Sequence, residues 1–195
     1  SWIEAPDNVS FHTSSFSVGA WVSYDPIPSS IQVLLAKSFL STSWESNGIF
    51  YLYGAVNTIV SDGTNGFYFP ATAPAAGDWF HILEVFDNET DLLKIYANGI
   101  LIGSANTALS PVYDGGPFTM GMELEYGIPS FFFNGKLDDV RYYNRALSAT
   151  EAMLLYFETG IEICNGIDDD CDGLIDDADP DITGQDVWFA DNDED

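Results

Sequence analysis

Short segments with alternating apolar residues, separated by turn-forming residues, run through most of the chain. In FSVGAWVSY (16–24), Phe16, Val18, Ala20 and Val22 share one face, which is the period-two pattern of a β-strand. Further strands are predicted at 31–38, 48–55, 57–62, 66–70, 78–87, 91–105, 116–125 and 131–143. Some ten to twelve short strands with turns between them predict an all-β fold, a two-sheet antiparallel jelly-roll sandwich.

Two short motifs specify a turn and a helix. Asn98-Gly99 interrupts the 91–105 segment and supplies the two positive-φ positions of a tight primed turn, so this segment is predicted to be a hairpin. Ser148 followed three residues later by Glu151 forms a capping-box signature. The sequence therefore predicts one short C-terminal helix over 149–158.

Composition limits the classes of partner. The chain has 195 residues, of which 46% are hydrophobic, and its 31 acids against five bases give a formal net charge of −26. That length and apolar content suffice for a full core. The charge argues against nucleic acid and against anionic membrane surfaces, which both require basic patches. A surface this acidic suits divalent cations, high salt or simple solubility, and no apolar stretch is long enough to span a membrane.

The acids and cysteines are unevenly distributed. Residues 160–195 hold 14 acids and no base, which predicts a sandwich domain at 1–159 and an acidic segment at 160–195. Both cysteines, Cys164 and Cys171, lie in the acidic segment and predict a local disulfide and an extracytoplasmic location. Two free thiols in a cytosolic chain are the alternative.

The order of motifs in the first domain resembles a known family. The segments FSVGAWVSYDP, LLAKS, GDWFHILEVFDNETDLLKIYANGILIGSA, GPFTMG and FFFNGKLDDVRYYNRALSATEAMLLY are similar to the laminin G-like, concanavalin A-like jelly-roll domains of secreted bacterial proteins. The resemblance covers residues 1–158. It implies a glycan binder, an adhesive protein-binding module or a spacer, and it often brings a structural calcium near the rim. Asp138 or Asp139 is the matching calcium ligand, with a solvated or Arg141-paired carboxylate as the alternative.

The sandwich offers no convincing catalytic group. Glu123 and Glu125 share one face of a predicted strand, and related glycanases use paired carboxylates in this way. Those enzymes carry an Asp between the two, where this chain has Leu124, so the pair is interpreted as a polar face. His12 and His81 are interpreted as structural. The chain is therefore predicted not to be an enzyme, with no catalytic residue assigned.

Tryptophans supply the candidate ligand contact. Trp21 and Trp79 lie in strongly periodic segments and are predicted to be core residues. Trp44 lies in the polar stretch STSWESNG and is predicted to be an exposed platform that contacts a sugar or a protein. Its alternative role is to cover a sheet edge.

The acidic segment fits the twelve-residue calcium loop. Asp168, Asp170 and Asp172 occupy loop positions 1, 3 and 5, and Gly173 occupies the turn position 6. The remaining ligand positions 7, 9 and 12 are occupied by Leu174 (through its carbonyl), Asp176 and Asp179, so position 12 carries Asp in place of the usual Glu. Oxygen ligands alone favour Ca²⁺ over zinc or copper, so Ca²⁺ is the predicted cofactor. A solvated acidic linker is the alternative.

The phrase EICNGIDDDCDGLIDDADPD also resembles the MopE-type metal-binding repeat of bacterial surface proteins. Asp191, Asp193 and Asp195 repeat the spacing of positions 1, 3 and 5, as at the start of a second loop. We therefore expect a fragment of a longer protein.

Together these observations predict a non-catalytic adhesive or carbohydrate-binding module of a secreted or cell-surface bacterial protein, with a stalk stabilised by Ca²⁺. A structural spacer or fibre subunit, and an accessory domain of a large extracellular hydrolase, are the alternatives. The expected partner is an unidentified glycan or protein on another surface, together with neighbouring domains or subunits.

Overall fold

Two antiparallel sheets, a separate β-hairpin, a 3-10 helix at Val9–Phe11 and one short α-helix form the secondary structure of the described part of the chain. The computed structural model describes residues 1–24, 30–52, 54–75 and 77–158. The strands are β1 (Ile3–Ala5), β2 (Phe16–Ser23), β3 (Gln32–Ser38), β4 (Glu45–Leu52), β5 (Ala55–Ser61), β6 (Gly66–Thr72), β7 (Phe80–Asp87), β8 (Leu92–Ala97), β9 (Ile100–Asn106), β10 (Phe118–Met120), β11 (Glu123–Glu125), β12 (Ile128–Ser130) and β13 (Lys136–Tyr143). The helix α1 spans Ala149–Glu158. The chain divides into two compact units between Met153 and Leu154, and the sandwich lies in the first.

The sheet order is that of a sandwich. Six strands form one sheet in the order β1-β10-β3-β4-β5-β6, and five form the other in the order β13-β2-β7-β8-β9. The short pair β11-β12 forms a separate hairpin. This confirms the predicted all-β fold with two antiparallel sheets and one short helix.

Alternation along each strand builds the core between the sheets. On β2, Phe16, Val18, Ala20 and Val22 are all fully buried in the main hydrophobic cluster. The same cluster includes Ile49 and other residues of the six-stranded sheet, so it fills the space between the two sheets. Burial of this apolar surface is the main favourable contribution to folding.

The period-two pattern also explains why the prediction for two tryptophans is wrong. Trp79 immediately precedes the buried Phe80 and is 43% exposed. Trp21 lies between the core residues Ala20 and Val22, so its side chain is on the opposite, outer face, where it contacts His81 with ring centroids 5.8 Å apart. Neighbouring residues on a strand face opposite ways, so neither indole reaches the core.

The two local motifs are confirmed. Asn98 and Gly99 have φ values of 49° and 72° and join β8 to β9. The Ser148 amide donates to the Glu151 carboxylate at 2.8 Å, and the Glu151 amide donates to the Ser148 hydroxyl at 3.2 Å. This is a complete capping box at the start of α1. No helix among the described residues is long and apolar enough to cross a membrane.

Candidate glycan-binding cavity

A cavity of about 310 Å³ opens on the outer face of the six-stranded sheet. On β4, Ile49 and Tyr51 belong to the core between the sheets, whereas Phe50 belongs to a second cluster on the other face. The cavity is lined by Ile31, Val33, Ser43, Trp44, Glu45, Phe50, Leu52, Tyr68, Glu123, Glu125 and Phe131. Four aromatic rings and three carboxylates therefore surround a space at the lower end of the usual size of small-molecule pockets.

Trp44 forms one wall of this cavity. Its ring centroid lies 5.8 Å from that of Tyr68, and Tyr68 in turn makes an edge contact with Phe50 at 5.5 Å. The indole lies over Gly66 so closely that an added Cβ there would be 2.3 Å from Trp44 Cζ3. Trp44 is thus half-buried against the edge strand β6, which is the alternative role that the sequence left open, and its ring also lines the cavity. Ligand contact by Trp44 stays a prediction.

A β-bulge directs Glu45 into the cavity. Lys37 pairs with Asn47 but Ser38 pairs with Glu45, so β4 carries one extra residue, Ser46, at this point. Without a bulge, Glu45 and Phe50 would face opposite sides because they are an odd number of residues apart. The extra residue reverses the alternation. Both side chains consequently line the same cavity.

The β11-β12 hairpin supplies the other two carboxylates. Its turn is formed by Tyr126 and Gly127, with φ values of 51° and 77°. The hairpin is held beside β3 and β4 because the Leu124 amide donates to Ser38 Oγ at 3.2 Å. The Tyr126 amide donates to the Thr42 carbonyl at 2.9 Å.

The predicted shared face of the two glutamates is confirmed. Both Glu123 and Glu125 line the cavity, and Leu124 between them is buried. Phe131 also lines the cavity, and its carbonyl accepts a hydrogen bond from the Val33 amide at 2.9 Å.

Burial changes the protonation of Glu45. The side chain is 6% exposed, and desolvation raises the pKa of Glu45 to about 7 despite a hydrogen bond from its own amide. The nearby charge of Glu125 contributes to this raised pKa. Desolvation, and then the charge of Glu45, likewise raise the pKa of Tyr68 to about 12. The cavity therefore favours groups that donate hydrogen bonds or carry positive charge.

No base neutralises these carboxylates. All five basic residues lie in the described part of the chain, and none lines the cavity. Lys37, on β3, is 1% exposed and donates to Asp7 Oδ1 at 2.8 Å. Arg145 pairs with Glu151 at 2.6 Å near the helix.

The predicted rim site on β13 is partly occupied by an ion pair. Asp139 has a φ of 44° at a bulge, and its Oδ1 accepts from Arg141 Nε at 2.8 Å. Asp138 Oδ1 accepts from the Asp139 amide at 2.8 Å. The Arg141 pairing that the sequence left open is therefore present. No group of three or more metal-ligating side chains converges among the described residues, and calcium binding by Asp138 or Asp139 stays a prediction.

The two histidines take part in structural contacts, as expected. His12 Nε2 lies 2.8 Å from Asp7 Oδ1, and its ring stacks on Tyr113 with centroids 4.8 Å apart. His81 is 2% exposed. Its pKa is lowered to about 4, because desolvation and then the charge of Arg141 outweigh the opposing effect of Asp139. His81 is neutral at physiological pH.

The predicted calcium loop and disulfide lie outside the described residues. This applies to Cys164 and Cys171 and to every loop ligand from Asp168 to Asp195. They stay predictions.

Sequence comparison now decides the family. Residues 1–153 match the model of the concanavalin A-like lectin/glucanases superfamily. The chain belongs to this superfamily. The match confirms the family resemblance that the strand motifs of the sandwich indicated. The search of curated protein sequences finds no match.

Solved structures share this superfamily fold. The carbohydrate-binding module CBM40 of the IT-sialidase from Ruminococcus gnavus, bound to α2,3-sialyllactose, is 17% identical with a TM-score of 0.63, over 80% of this chain and 96% of that module. The NanB sialidase from Streptococcus pneumoniae is 19% identical with a TM-score of 0.65, over 79% of this chain and 26% of that one. The heptameric SAP-like pentraxin from Limulus polyphemus is 15% identical with a TM-score of 0.59, over 78% of this chain and 72% of that one. At these identities the likeness establishes the fold.

The sequence missed several residues of the cavity. Glu45, Phe50, Tyr68 and Phe131 were not singled out as site residues. Tyr68 and Phe50 lie in strands for which periodicity alone does not show which face lines a cavity. Glu45 faces the cavity only because of the bulge. One signal was available, since Glu45 directly follows Trp44 in the polar stretch STSWESNG.

Proposed function

We propose that this chain is a non-catalytic carbohydrate-binding module of an extracellular or cell-surface bacterial protein, and that it holds a sugar in the cavity beside Trp44. The observation that carries the proposal is the combination of aromatic walls and buried carboxylates in one cavity. Aromatic faces stack on the apolar faces of sugar rings, and carboxylates accept hydrogen bonds from hydroxyl groups. Similarity to a carbohydrate-binding module of a sialidase supports it.

The carboxylates act as hydrogen-bond acceptors in this proposal and perform no catalysis. Glycoside hydrolysis needs one carboxylate as acid and one as base or nucleophile at a defined separation. The sequence pattern of related glycanases places an Asp between the two strand glutamates. Here that position is Leu124, which is 5% exposed and faces away from Glu123 and Glu125. A turnover assay on any oligosaccharide that binds is expected to show no product.

A glycan array tests the binding function, with two tryptophan variants as a matched pair. Trp44→Ala removes a cavity wall, whereas Trp79→Ala removes an indole that is 43% exposed and does not line the cavity. We expect Trp44→Ala to weaken glycan binding about tenfold or more, since truncation of a central aromatic contact commonly costs over 1 kcal/mol. Trp79→Ala should bind like the wild type. Absence of binding to every glycan on the array, or equal loss in both variants, would refute the proposal.

We further propose that residues 168–179 bind Ca²⁺ and that the Cys164–Cys171 disulfide fixes the entry to this loop. The proposal is supported by the ligand spacing, in which Asp168, Asp170 and Asp172 precede Gly173 at the turn position. Coupling of metal binding to folding would stiffen the segment after the sandwich.

Calorimetric titration of Ca²⁺ into chelator-treated protein tests the calcium proposal. Saturable binding is expected, and it should be lost in the Asp168→Ala, Asp172→Ala double variant. Binding that is unchanged in this variant would transfer the calcium site to Asp138 and Asp139. Alkylation of the cysteines without reductant would exclude the disulfide.

A further inference from the structure

Glu123 is a largely buried acceptor without a hydrogen-bond partner among the described residues. Its side chain lines the cavity and is 6% exposed, and no hydrogen bond from the part of the chain that the structure describes reaches its carboxylate. The Glu123 carboxylate is therefore available to accept hydrogen bonds from a ligand in the cavity.

The neighbouring carboxylates make the cavity a site of negative potential. Glu45 and Glu125 are close enough for the charge of Glu125 to raise the pKa of Glu45. The chain carries a net charge of −26 and places no basic side chain in the cavity. An anionic sugar would therefore be repelled, and a cationic one would be attracted at long range and at contact.

A bound metal ion does not fit this arrangement. No three acidic or other metal-ligating side chains in the described ranges converge closely enough to hold an ion. The carboxylates are instead distributed around a space of about 310 Å³. They are placed to accept hydrogen bonds from different atoms of one organic molecule.

The aromatic rings around the cavity also favour a positively charged ligand. Trp44, Phe50, Tyr68 and Phe131 surround the cavity, and aromatic faces attract ammonium groups that lie over them. We propose that the cavity recognises a sugar with a protonated primary amine, that is, an unacetylated amino sugar. This inference rests on the proposed glycan-binding function and adds the charge of the ligand. The ring stacks on the aromatic walls while the ammonium group donates to Glu123 and Glu125.

Titrations with three matched oligosaccharides test the inference. The probes are β-1,4-linked tetramers of glucosamine, N-acetylglucosamine and glucose, which differ at one ring substituent. Under conditions in which the amine is protonated, calorimetry should give at least tenfold tighter binding of the glucosamine tetramer, since charge-assisted hydrogen bonds are about twice as strong as neutral ones. Added salt should weaken this binding, because the attraction is electrostatic.

Isosteric variants identify the carboxylates that contribute. Glu125→Gln and Glu123→Gln should each weaken binding of the glucosamine tetramer about tenfold and leave the glucose tetramer little changed. Glu89→Gln is the matched control, because Glu89 is exposed and does not line the cavity. Unfolding curves of all three variants establish that each is folded.

The other outcomes separate this inference from the proposed function. Equal affinity for all three tetramers, lost in Trp44→Ala, would overturn the amino-sugar inference and leave glycan binding intact. Tighter binding of sialyllactose than of the glucosamine tetramer would also overturn it. Binding of lysine peptides but of no sugar would replace the glycan by a protein partner and would overturn both proposals.

Discussion

Glu45 should make the stability of this protein depend on pH in an unusual direction. Its ordinary pKa of 4.5 is raised to about 7 in the folded chain, first by desolvation and also by the charge of Glu125. In the unfolded chain the carboxyl group loses its proton near its ordinary pKa. The folded state therefore binds more protons than the unfolded state between these two values, and the free energy of unfolding falls as pH rises through that window. Below the window this cost is absent.

The Glu45→Gln variant removes this dependence. Each unit between the two pKa values corresponds to about 1.4 kcal/mol, so at pH 8 the cost of deprotonated Glu45 is on the order of 3 kcal/mol. We expect the variant to match the wild type at about pH 4 and to gain stability progressively until about pH 7. The gain should then remain constant, because both states of the wild type are ionised there.

Urea denaturation followed by circular dichroism, at a series of pH values and with excess chelator, measures this difference. The chelator keeps metal occupancy the same throughout. Glu89→Gln serves as the control, since it removes an exposed carboxylate on the β7–β8 turn that lies outside the cavity. Parallel curves for the wild type and Glu45→Gln from pH 4 to 8 would refute the assignment of a raised pKa to Glu45.

Three further predictions concern the fold. Gly66→Ala should displace the Trp44 ring, because a Cβ would lie 2.3 Å from Cζ3. Glycan affinity should therefore fall, by no more than in Trp44→Ala, and tryptophan emission should shift. Glu84→Gln should raise the free energy of unfolding more at pH 8 than at pH 4, since complete burial raises the pKa of Glu84 well above its ordinary value; an equal change at both pH values would contradict this. Lys37→Met leaves the buried Gly116 carbonyl without its Lys37 donor, and urea denaturation should show a loss of roughly 1–3 kcal/mol.

The buried carboxylates of the cavity are expected to lower the stability of the fold. Glu45 and Glu123 are both buried beside aromatic rings, where apolar side chains would give a more stable surface. Sites that violate the rule of apolar burial are expected where a protein binds something. If the cavity is the glycan site, variants that stabilise the fold at these positions should lose affinity.

The sequence by itself determined the features that depend on neighbouring residues. The period-two pattern of Phe16 to Val22 is sufficient to place a strand and to choose its buried face. Asn98-Gly99 determines a turn, and Ser148 with Glu151 determines the start of a helix, because the groups that make the hydrogen bonds or the positive φ values lie within four residues. The shared face of Glu123 and Glu125 follows from the same alternation.

Only the tertiary structure decided which of these faces meet. Trp44 and Glu45 line the cavity together with Tyr68, which lies on another strand. Glu123 and Phe131, which are distant from them in sequence, line it as well. A β-bulge of one residue reverses the direction of Glu45, and such an insertion is set by pairing between strands, which periodicity within one strand does not encode. The identity of a binding site depends on contacts distant in sequence, whereas strands, turns and caps depend on local ones, and this difference separates what could be predicted from what had to be observed.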